Sequence, residues 1–355
     1  MDVPHESTDP PRILVVGCGA IGGIVASHLA AMNHAVSVLT TNGAIGKALT
    51  ERGFQVKSDA LSGTVPAGPV LLDANQVAAS YDYVLLAVQP PQIQQAANSV
   101  AGKLAADGRM VCFQNGLCED IVARIVGEER VIGGVIAWGA SMSGPARYER
   151  TSPGGFTLGS LRGQRDVKLE RLARILEAVG PVELTANLAG VRWSKLGINC
   201  AVSTLGTISG GPLGPVLKQR YARRLALEII SEVVQVARAE GVVLEKVSGT
   251  IDLEWLALSP EEARSSGSPS LVAKHALILA VGARYRRLRS SMLAAIERGR
   301  PPAIDFLNGE VVERAAKHGL SVPVNNAARE WVWAIARGDR KASPQSLHAL
   351  YEATR

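Results

Sequence analysis

The chain has 355 residues and a net charge of +6 at neutral pH, with 47% hydrophobic and 4% aromatic residues. This length predicts two domains with a sizeable core, and scattered basic residues without an aromatic platform argue against nucleic-acid binding. The four cysteines form neither a C-x-x-C pair nor a metal-binding spacing, which argues against a metal site and predicts reduced thiols in the cytoplasm.

The first predicted elements surround a glycine-rich turn. Residues 1–11, rich in proline and acids, are predicted to be a disordered tail, residues 12–16 a strand and residues 20–32 a helix. In this order the first glycine permits a tight turn, the second lets the backbone approach a pyrophosphate, and the third lets the helix pack on the strand. We therefore expect a dinucleotide there, bound by Gly17, Cys18, Gly19, Ala20, Ile21 and Gly22.

A second interpretation of residues 13–32 is a membrane span or an export signal, because the stretch is long and uncharged apart from His28. Four glycines argue against a single stable helix there, and the preceding residues are acidic where a signal peptide is basic. The strand–turn–helix pattern explains the stretch better, so we expect no membrane segment.

Apolar runs then alternate with helical patterns as far as residue 187. Strands are predicted at residues 35–39, 53–56, 68–72, 83–88, 110–113 and 131–138, with an edge strand at 151–159. Helices are predicted up to residue 52 and over residues 92–104 and 166–179. This alternation predicts an α/β fold, with an N-terminal Rossmann-type doubly wound sheet over residues 12–187.

From residue 188 onward strand patterns nearly vanish, which predicts an all-α C-terminal domain over residues 188–355 for substrate binding or dimerisation. Helices are expected at residues 193–207, 221–239, 271–287, 291–297 and 304–318, with a polar surface loop over 259–270. Exposed apolar helix faces in this domain would suit a homodimer, although a packed core explains the same pattern.

The residues after the second strand bear on the choice of cofactor. An acid at this place binds the ribose hydroxyl of NAD, but the chain has Thr40, Thr41 and Asn42 there and no acid before Glu51. Hydroxyl and amide groups would not repel a 2′-phosphate, and Lys47 is close enough in sequence to add a charge. The sequence favours NADP(H) over NAD(H), although the arginine that often binds this phosphate is missing.

A polar pair stands within an apolar helical stretch of the second domain. Lys195 and Asn199 lie four residues apart and share a helix face, with Ser203 one turn further on. A lysine in such a helix is usually a surface residue. Beside a cofactor it could instead donate a proton to a ketone oxygen as hydride reaches the carbon.

Five motifs follow one another between residue 12 and about residue 335. They are residues 17–23 (GCGAIGG), 114–116 (QNG), 193–199 (WSKLGIN), 290–293 (SSML) and 304–309 (IDFLNG). In this order they resemble the ketopantoate reductase (2-dehydropantoate 2-reductase) family. The resemblance implies a Rossmann domain joined to a helical domain, and reduction of a 2-keto acid by NADPH in the cleft between them.

The same resemblance implies roles for single residues. Lys195 would be the general acid, with Asn199 and Ser203 beside it on the substrate side. Ser291 would contact the substrate carboxylate. Asn115 would border the nicotinamide, and Gln89 would stand on the cofactor side, in place of a lysine of the family.

The chain departs from the family at four polar positions. An active-site glutamate is replaced by Ala303, a lysine by Gln89, and two asparagines by Ser203 and Leu288. A site that loses buried hydrogen-bond partners rejects the substrate that needed them. We therefore expect a less polar pocket and a substrate other than ketopantoate, such as a bulkier or more apolar ketone, keto acid or imine.

The sequence thus predicts an NADPH-dependent reductase of a small carbonyl compound, with Lys195 as proton donor. The alternative is a cofactor-binding paralogue without reductase activity, such as a sensor or regulatory protein. A third interpretation is the reverse reaction, oxidation of an alcohol with NADP⁺. A helical region over residues 243–283 is a hypothetical cover for the pocket.

Overall fold

The computed structural model describes residues 10–77, 80–246, 251–264 and 267–355. Residues 1–9 of the predicted tail lie outside these ranges. The chain divides into two compact units. The first comprises the described residues up to Gln114 and Cys118–Leu188, and the second comprises Asn115–Leu117 and Ala189–Arg355. The sequence analysis divided the chain at residues 187/188 and did not predict that residues 115–117 join the second unit.

The first unit contains two sheets and five α-helices. Its strands are β1 (Arg12–Val16), β2 (Ala35–Leu39), β3 (Phe54–Lys57), β4 (Ser62–Val65), β5 (Val70–Leu71), β6 (Tyr81–Leu86), β7 (Leu104–Cys112), β8 (Val131–Ile136), β9 (Ala140–Gly144), β10 (Arg147–Arg150), β11 (Phe156–Ser160) and β12 (Val182–Leu184). Its helices are α1 (Ala20–Ala31), α2 (Gly43–Arg52), α3 (Ile93–Val100), α4 (Glu119–Val126) and α5 (Val167–Leu176). Short 3-10 turns lie at Ala74–Gln76, Pro90–Gln92, Ala101–Lys103 and Glu128–Arg130.

The larger sheet has the strand order β12-β11-β8-β7-β6-β1-β2-β5. Its six strands from β5 to β8 run parallel, and β1 pairs with β2 on one side and with β6 on the other. The predicted Rossmann-type doubly wound sheet is therefore confirmed. Such sheets bind ligands beyond the carboxyl ends of their strands, where the strand order reverses. Here this switch point lies between β1 and β6.

The structure corrects the predicted edge strand at residues 151–159. The strand there, β11, lies inside the sheet, antiparallel to β8 and parallel to β12. The strand predicted at residues 53–56 belongs to a second sheet, β4-β3-β10-β9, which was not foreseen. Strands β4, β9, β10 and β12 are short and only partly buried, so they lack the continuous apolar runs of central parallel strands.

The second unit is built from helices, which confirms the predicted all-α domain. They are α6 (Leu188–Ser209), α7 (Leu213–Lys218), α8 (Arg220–Ala239), α9 (Leu253–Leu256), α10 (Pro260–Arg264), α11 (Pro269–Arg284), α12 (Ser291–Glu297), α13 (Asn308–Lys317), α14 (Pro323–Arg337) and α15 (Pro344–Ala353), with a 3-10 turn at Ala303–Phe306. Its core surrounds α6 and α8, which bury apolar residues such as Leu205 and Leu225.

The structure corrects the predicted surface loop of the second unit, and it adds detail at two further places, while the covering role of residues 243–283 stays a prediction. The predicted surface loop at 259–270 contains α10, where buried Glu262 accepts from Lys274 Nζ at 2.5 Å. The hypothetical cover at 243–283 is divided into α9, α10 and α11, and its residues 247–250 and 265–266 lie outside the described ones. Helix α14 was not predicted; it begins at Pro323, and proline is favoured in the first turn of a helix.

The described ranges also bear on the membrane and metal expectations. In the described parts of the chain no helix is long and apolar enough to cross a membrane. Residues 13–32, the candidate span, form β1, a turn and α1. The four cysteines are buried and are not joined in disulfides, and among the described side chains no group of histidines, cysteines and acids could hold a metal ion.

Candidate functional site

The first part of the candidate site is the glycine turn between β1 and α1. Gly17 has a φ of +91°, a left-handed conformation that favours glycine, and a Cβ there would lie 2.8 Å from Val88 Cγ1. A Cβ on Gly22 would lie 2.0 Å from the carbonyl oxygen of Gly17. A Cβ on Gly19 would meet nothing within 4 Å. Protein atoms therefore leave no room for a side chain at Gly17 and Gly22, whereas the space beside Gly19 is open.

The open glycine stands at the start of α1. Gly19 is the N-cap residue, no side chain caps the helix, and the first turn contains no acid. The first N–H groups of a helix and its positive dipole end attract anions, and the space beside Gly19 leaves room for one. The residues present therefore fit the pyrophosphate of a nicotinamide dinucleotide.

A tyrosine that the sequence analysis missed supports the turn. Tyr148 Oη donates to the carbonyl oxygen of Cys18 at 3.1 Å and lies 3.2 Å from Cys18 Sγ. Its ring fills the space beside α1, since a Cβ on Gly23 would lie 2.1 Å from Tyr148 Cε1. Cys18 is buried, and burial raises the pKa of its thiol to about 12. Its side chain faces protein, so only its backbone is available to a ligand.

The residues after β2 present hydroxyl and amide groups. Thr40 is buried, and its Oγ1 accepts from the Asn42 N–H at 3.4 Å. Thr41 and Asn42 are exposed, and Asn42 Oδ1 caps α2 by accepting from the Ile45 N–H at 3.1 Å. Lys47 is exposed, 3.8 Å from a carboxylate oxygen of Glu51. Residues 40–43 thus contain no carboxylate that would oppose a phosphate.

Two glutamines lie near the end of β6. Gln89 is exposed, and its N–H donates to the side-chain oxygen of Gln92 at 3.3 Å. Gln114 is buried, and its Nε2 donates to the carbonyl oxygens of Leu86 at 2.8 Å and Val88 at 3.1 Å. Gln114 therefore holds the backbone beyond β6 at the switch point. Its positioning role was missed, because spacing alone does not show which loop a buried amide reaches.

The segment after Gln114 is grouped with the second unit. Gly116 has a φ of +93°, and a Cβ there would lie 2.4 Å from the carbonyl oxygen of Phe306. Asn115 beside it is exposed. Its predicted place next to the nicotinamide stays a prediction.

The second part of the candidate site is one face of α6. Among residues 193–209 twelve are buried and five are half-buried, namely Lys195, Ile198, Asn199, Val202 and Ser203. Their spacings of three and four residues place them on one side of the helix. We call these five residues the α6 stripe. It brings together three of the predicted site residues.

Asn199 carries an unsatisfied group in this stripe. Its side-chain nitrogen is shielded from solvent and has no hydrogen-bond partner within the described ranges. A buried donor left unbonded costs about 1–3 kcal/mol. An oxygen atom of a ligand would remove this cost, so the amide marks a place where a polar ligand group would bind.

Helix α12 begins next to the end of the stripe. Ser290 caps α12 and lies with its Oγ 2.8 Å from Thr207 Oγ1 on α6. Thr207 in turn donates to the carbonyl oxygen of Ser203 at 2.7 Å. Ser291, predicted to bind the substrate carboxylate, is exposed in the first turn of α12. The buried serine is therefore Ser290, whose capping role the sequence analysis did not foresee.

The opposite face of α6 is anchored by buried polar side chains. Thr204 Oγ1 donates to Asn308 Oδ1 at 2.7 Å, and Asn308 Nδ2 donates to Asn325 Oδ1 at 2.9 Å. Asn325 Nδ2 donates to Glu232 Oε2 at 2.7 Å, and burial raises the pKa of the Glu232 carboxyl group. This chain of bonds joins α6 to α13, α14 and α8, so the stripe lies on a firmly held helix.

The position of the family's glutamate is occupied by Ala303, which is half-buried. The nearest carboxylate in the sequence is that of Asp305. It accepts from Arg329 Nε at 2.6 Å and from Trp333 Nε1 at 3.1 and 3.2 Å. Asp305 is therefore bound by two side chains of α14 and does not take over the role of the lost glutamate.

Comparison with family models covers both units. The model described as "Ketopantoate reductase PanE/ApbA" matches residues 13–163, and that described as "Ketopantoate reductase PanE/ApbA C terminal" matches residues 187–335. The chain is 25% identical over 334 residues to the 2-dehydropantoate 2-reductase of Pyrococcus horikoshii, covering 92% of this chain and 96% of the relative. It is 28% identical over 323 residues to that of Halobacterium salinarum, covering 88% and 95%.

Solved structures share the whole fold. A PanE/ApbA family ketopantoate reductase from Ralstonia eutropha JMP134 gives a TM-score of 0.77 at 25% identity, covering 92% of this chain and 99% of that one. The ternary structure of D-mandelate dehydrogenase with NADH and anilino(oxo)acetate gives 0.76 at 20% identity, also covering 92% and 99%. This second likeness shows the fold alone.

Proposed function

The chain belongs to the ketopantoate reductase family, and from this we propose that it reduces a 2-keto acid or related ketone other than ketopantoate with NADPH. Like its relatives, it is an NAD(P)H-dependent oxidoreductase that acts on a keto group. The observation that carries the proposal is the α6 stripe. There Lys195 shares a half-open helix face with Asn199, whose buried amide lacks a partner among the described residues.

The chemistry divides between the cofactor and the stripe. When bound, the reduced nicotinamide supplies a hydride to the carbonyl carbon of the substrate. Lys195 donates a proton to the carbonyl oxygen as negative charge develops there. Asn199 donates a hydrogen bond to the substrate from its Nδ2. Ser203 and Ser291 donate hydrogen bonds from their hydroxyl groups to the substrate carboxylate.

Most of the proposed cofactor residues belong to the first unit. Backbone groups of the glycine turn would bind the pyrophosphate, and side chains after β2 would adjoin the 2′-phosphate. Gln89 and Asn115 would border the nicotinamide side. The proposed cofactor residues are Gly17, Cys18, Gly19, Ala20, Ile21, Gly22, Thr40, Thr41, Asn42, Gln89 and Asn115.

An aspartate after β2 should reverse the preference for NADPH. We expect Thr41→Asp to raise the KM for NADPH at least about tenfold, because a carboxylate there repels the 2′-phosphate, and to leave the KM for NADH within about twofold. Steady-state kinetics with each cofactor measure both values. Ser99→Asp, an equal charge change on exposed α3, is the control. A preference for NADH in the unaltered enzyme would contradict the proposal.

The replaced glutamate supports a substrate without a side-chain hydroxyl group. Ketopantoate carries such a hydroxyl, and neither Ala303 nor the engaged Asp305 offers it the carboxylate of the family. A substrate hydroxyl left without its buried partner lowers kcat/KM strongly. D-mandelate dehydrogenase, which shares the fold, is seen with anilino(oxo)acetate, an oxoacid that carries an aromatic group. We therefore propose an apolar 2-keto acid as substrate.

The test uses two 2-keto acids that differ by one hydroxyl, ketopantoate and 3,3-dimethyl-2-oxobutanoate. With NADPH, kcat/KM should be at least about tenfold higher for the second compound, and Ala303→Glu should reverse this order. Ala276→Glu, on the exposed face of α11, is the control and should change neither value. A parent enzyme that prefers ketopantoate would contradict the substrate proposal. Inactivity on a broad carbonyl panel would favour the cofactor-binding paralogue instead.

Three other expectations stay predictions. The homodimer is supported by Val272 and Leu279, large apolar residues of α11 that are 63% and 40% exposed. The cytoplasmic location is supported by the four cysteines, none of which forms a disulfide. The reverse reaction, oxidation of an alcohol with NADP⁺, would use the same residues, with Lys195 accepting the proton.

A further inference from the structure

The α6 stripe consists of two rows of different chemistry. The polar row is Lys195, Asn199 and Ser203, and the apolar row is Ile198 and Val202, each with four-residue spacing. Each apolar residue follows a polar one by three positions, which at 3.6 residues per turn places it roughly 60° from that residue around the helix axis. Each apolar side chain therefore adjoins a polar one three residues before it, Ile198 beside Lys195 and Val202 beside Asn199.

Within residues 193–209 the two apolar residues of the stripe are more open than the other large apolar residues of the helix. Leu196, Leu205 and Ile208 on α6 are at most 1% exposed, and the helix is held by the core on their side. Ile198 and Val202 also pack against this core but keep part of their surface open. An apolar group that covers them gains the free energy of removing this surface from water.

The carboxyl end of the stripe is closed by α12. Ser290 Oγ lies 2.8 Å from Thr207 Oγ1, and a Cβ on Gly206 would lie 3.3 Å from the Cβ of Ser290. A 2-keto acid whose carbonyl oxygen lies at Lys195 and Asn199, with its carboxylate toward Ser203, cannot extend its side chain past this end. The apolar row is the adjoining flank that remains half-open.

We propose that Ile198 and Val202 form the subsite that selects the substrate by its side chain. The subsite takes an apolar, branched side chain of a 2-keto acid, while the polar row takes the carbonyl and carboxylate groups. This inference rests on the proposed function and adds two specificity-determining residues to it. Neither residue exchanges a proton or donates a hydrogen bond, so both act on substrate choice alone.

A substitution that keeps the shape of the side chain tests its polarity. Val202→Thr replaces one methyl group by a hydroxyl at nearly constant shape, and thermal unfolding checks that the variant folds like the parent. We expect the ratio of kcat/KM for 3,3-dimethyl-2-oxobutanoate to that for ketopantoate to fall at least about fivefold, with the KM for NADPH unchanged. The matched control is Val167→Thr at the exposed start of α5, which should leave the ratio within about twofold.

A second substitution tests size. Ile198→Ala should lower kcat/KM about tenfold for 3,3-dimethyl-2-oxobutanoate and less than about twofold for pyruvate, whose methyl group is too small to fill the subsite. If the parent is active and both variants keep the parent's substrate ratios, the subsite is wrong and the reductase function stands. If the parent reduces no 2-keto acid with NADPH, the reductase function fails, and the subsite fails with it.

Discussion

Replacing Lys195 by methionine is expected to lower kcat by about 10²- to 10⁴-fold, the range that a positioned general acid contributes. Methionine keeps a long unbranched side chain without the ammonium group, so the half-buried part of the residue still packs against α6. The dissociation constant for NADPH should change by less than about twofold, because the glycine turn lies in the other unit. Stopped-flow or steady-state absorbance of NADPH measures kcat, and fluorescence titration measures binding.

Two comparisons separate a proton donor from a structural lysine. Lys317→Met removes an exposed lysine from the last turn of α13 and should leave kcat unchanged. The melting temperature of the Lys195→Met protein should stay close to that of the parent. A folded Lys195→Met enzyme that retains parental turnover would remove Lys195 from the proposed chemistry.

Replacing Gly19 by valine is expected to weaken NADPH binding about 100-fold or more while the protein remains folded. A side chain there meets no protein atom within 4 Å at the Cβ position, and the φ of −74° suits any residue. The same side chain fills the space that the pyrophosphate needs at the start of α1. A 100-fold change in affinity corresponds to about 2.7 kcal/mol. Titration of NADPH and thermal unfolding measure the two effects separately.

Substitutions at two other glycines of the first unit serve as comparisons for Gly19→Val. Gly102→Val, at another open and exposed glycine of the first unit, should leave NADPH binding unchanged. Gly22→Ala should instead destabilise the fold, because its Cβ would lie 2.0 Å from a backbone oxygen. Parental affinity for NADPH in the Gly19→Val protein would place the cofactor elsewhere or exclude it.

The parts of the fold that could be predicted are those that local patterns determine. β1, β2 and β6 are mostly apolar runs beside turn residues, and the structure has strands there. The second sheet could not be predicted from such runs, because β9 and β10 are short and half-exposed. Their strand character comes from pairing with one another and with β3, which is tertiary information.

In the candidate site, too, local patterns predict some features, whereas others depend on tertiary contacts. The common face of Lys195, Asn199 and Ser203 follows from helix periodicity alone, so the sequence could predict it. Tyr148 reaches Cys18 from a strand that is 130 residues away in sequence. The bond between Thr207 and Ser290 likewise joins elements 83 residues apart. Contacts between residues so far apart in sequence form only in the folded chain, and no local sequence pattern predicts them.

Residues 115–117 belong to the second unit although they lie in sequence between two stretches of the first. This limits which chimaeras could be made with a related protein. The polypeptide passes from one unit to the other after Gln114, after Leu117 and after Leu188, so it has three junctions in place of one. A chimaera joined only at residue 188 would therefore pair a foreign 115–117 segment with the resident Phe306 carbonyl group, against which Gly116 fits closely. Exchange of a whole half between relatives would have had to preserve the fit of residues 115–117 against Phe306. The two halves are therefore expected to have evolved together.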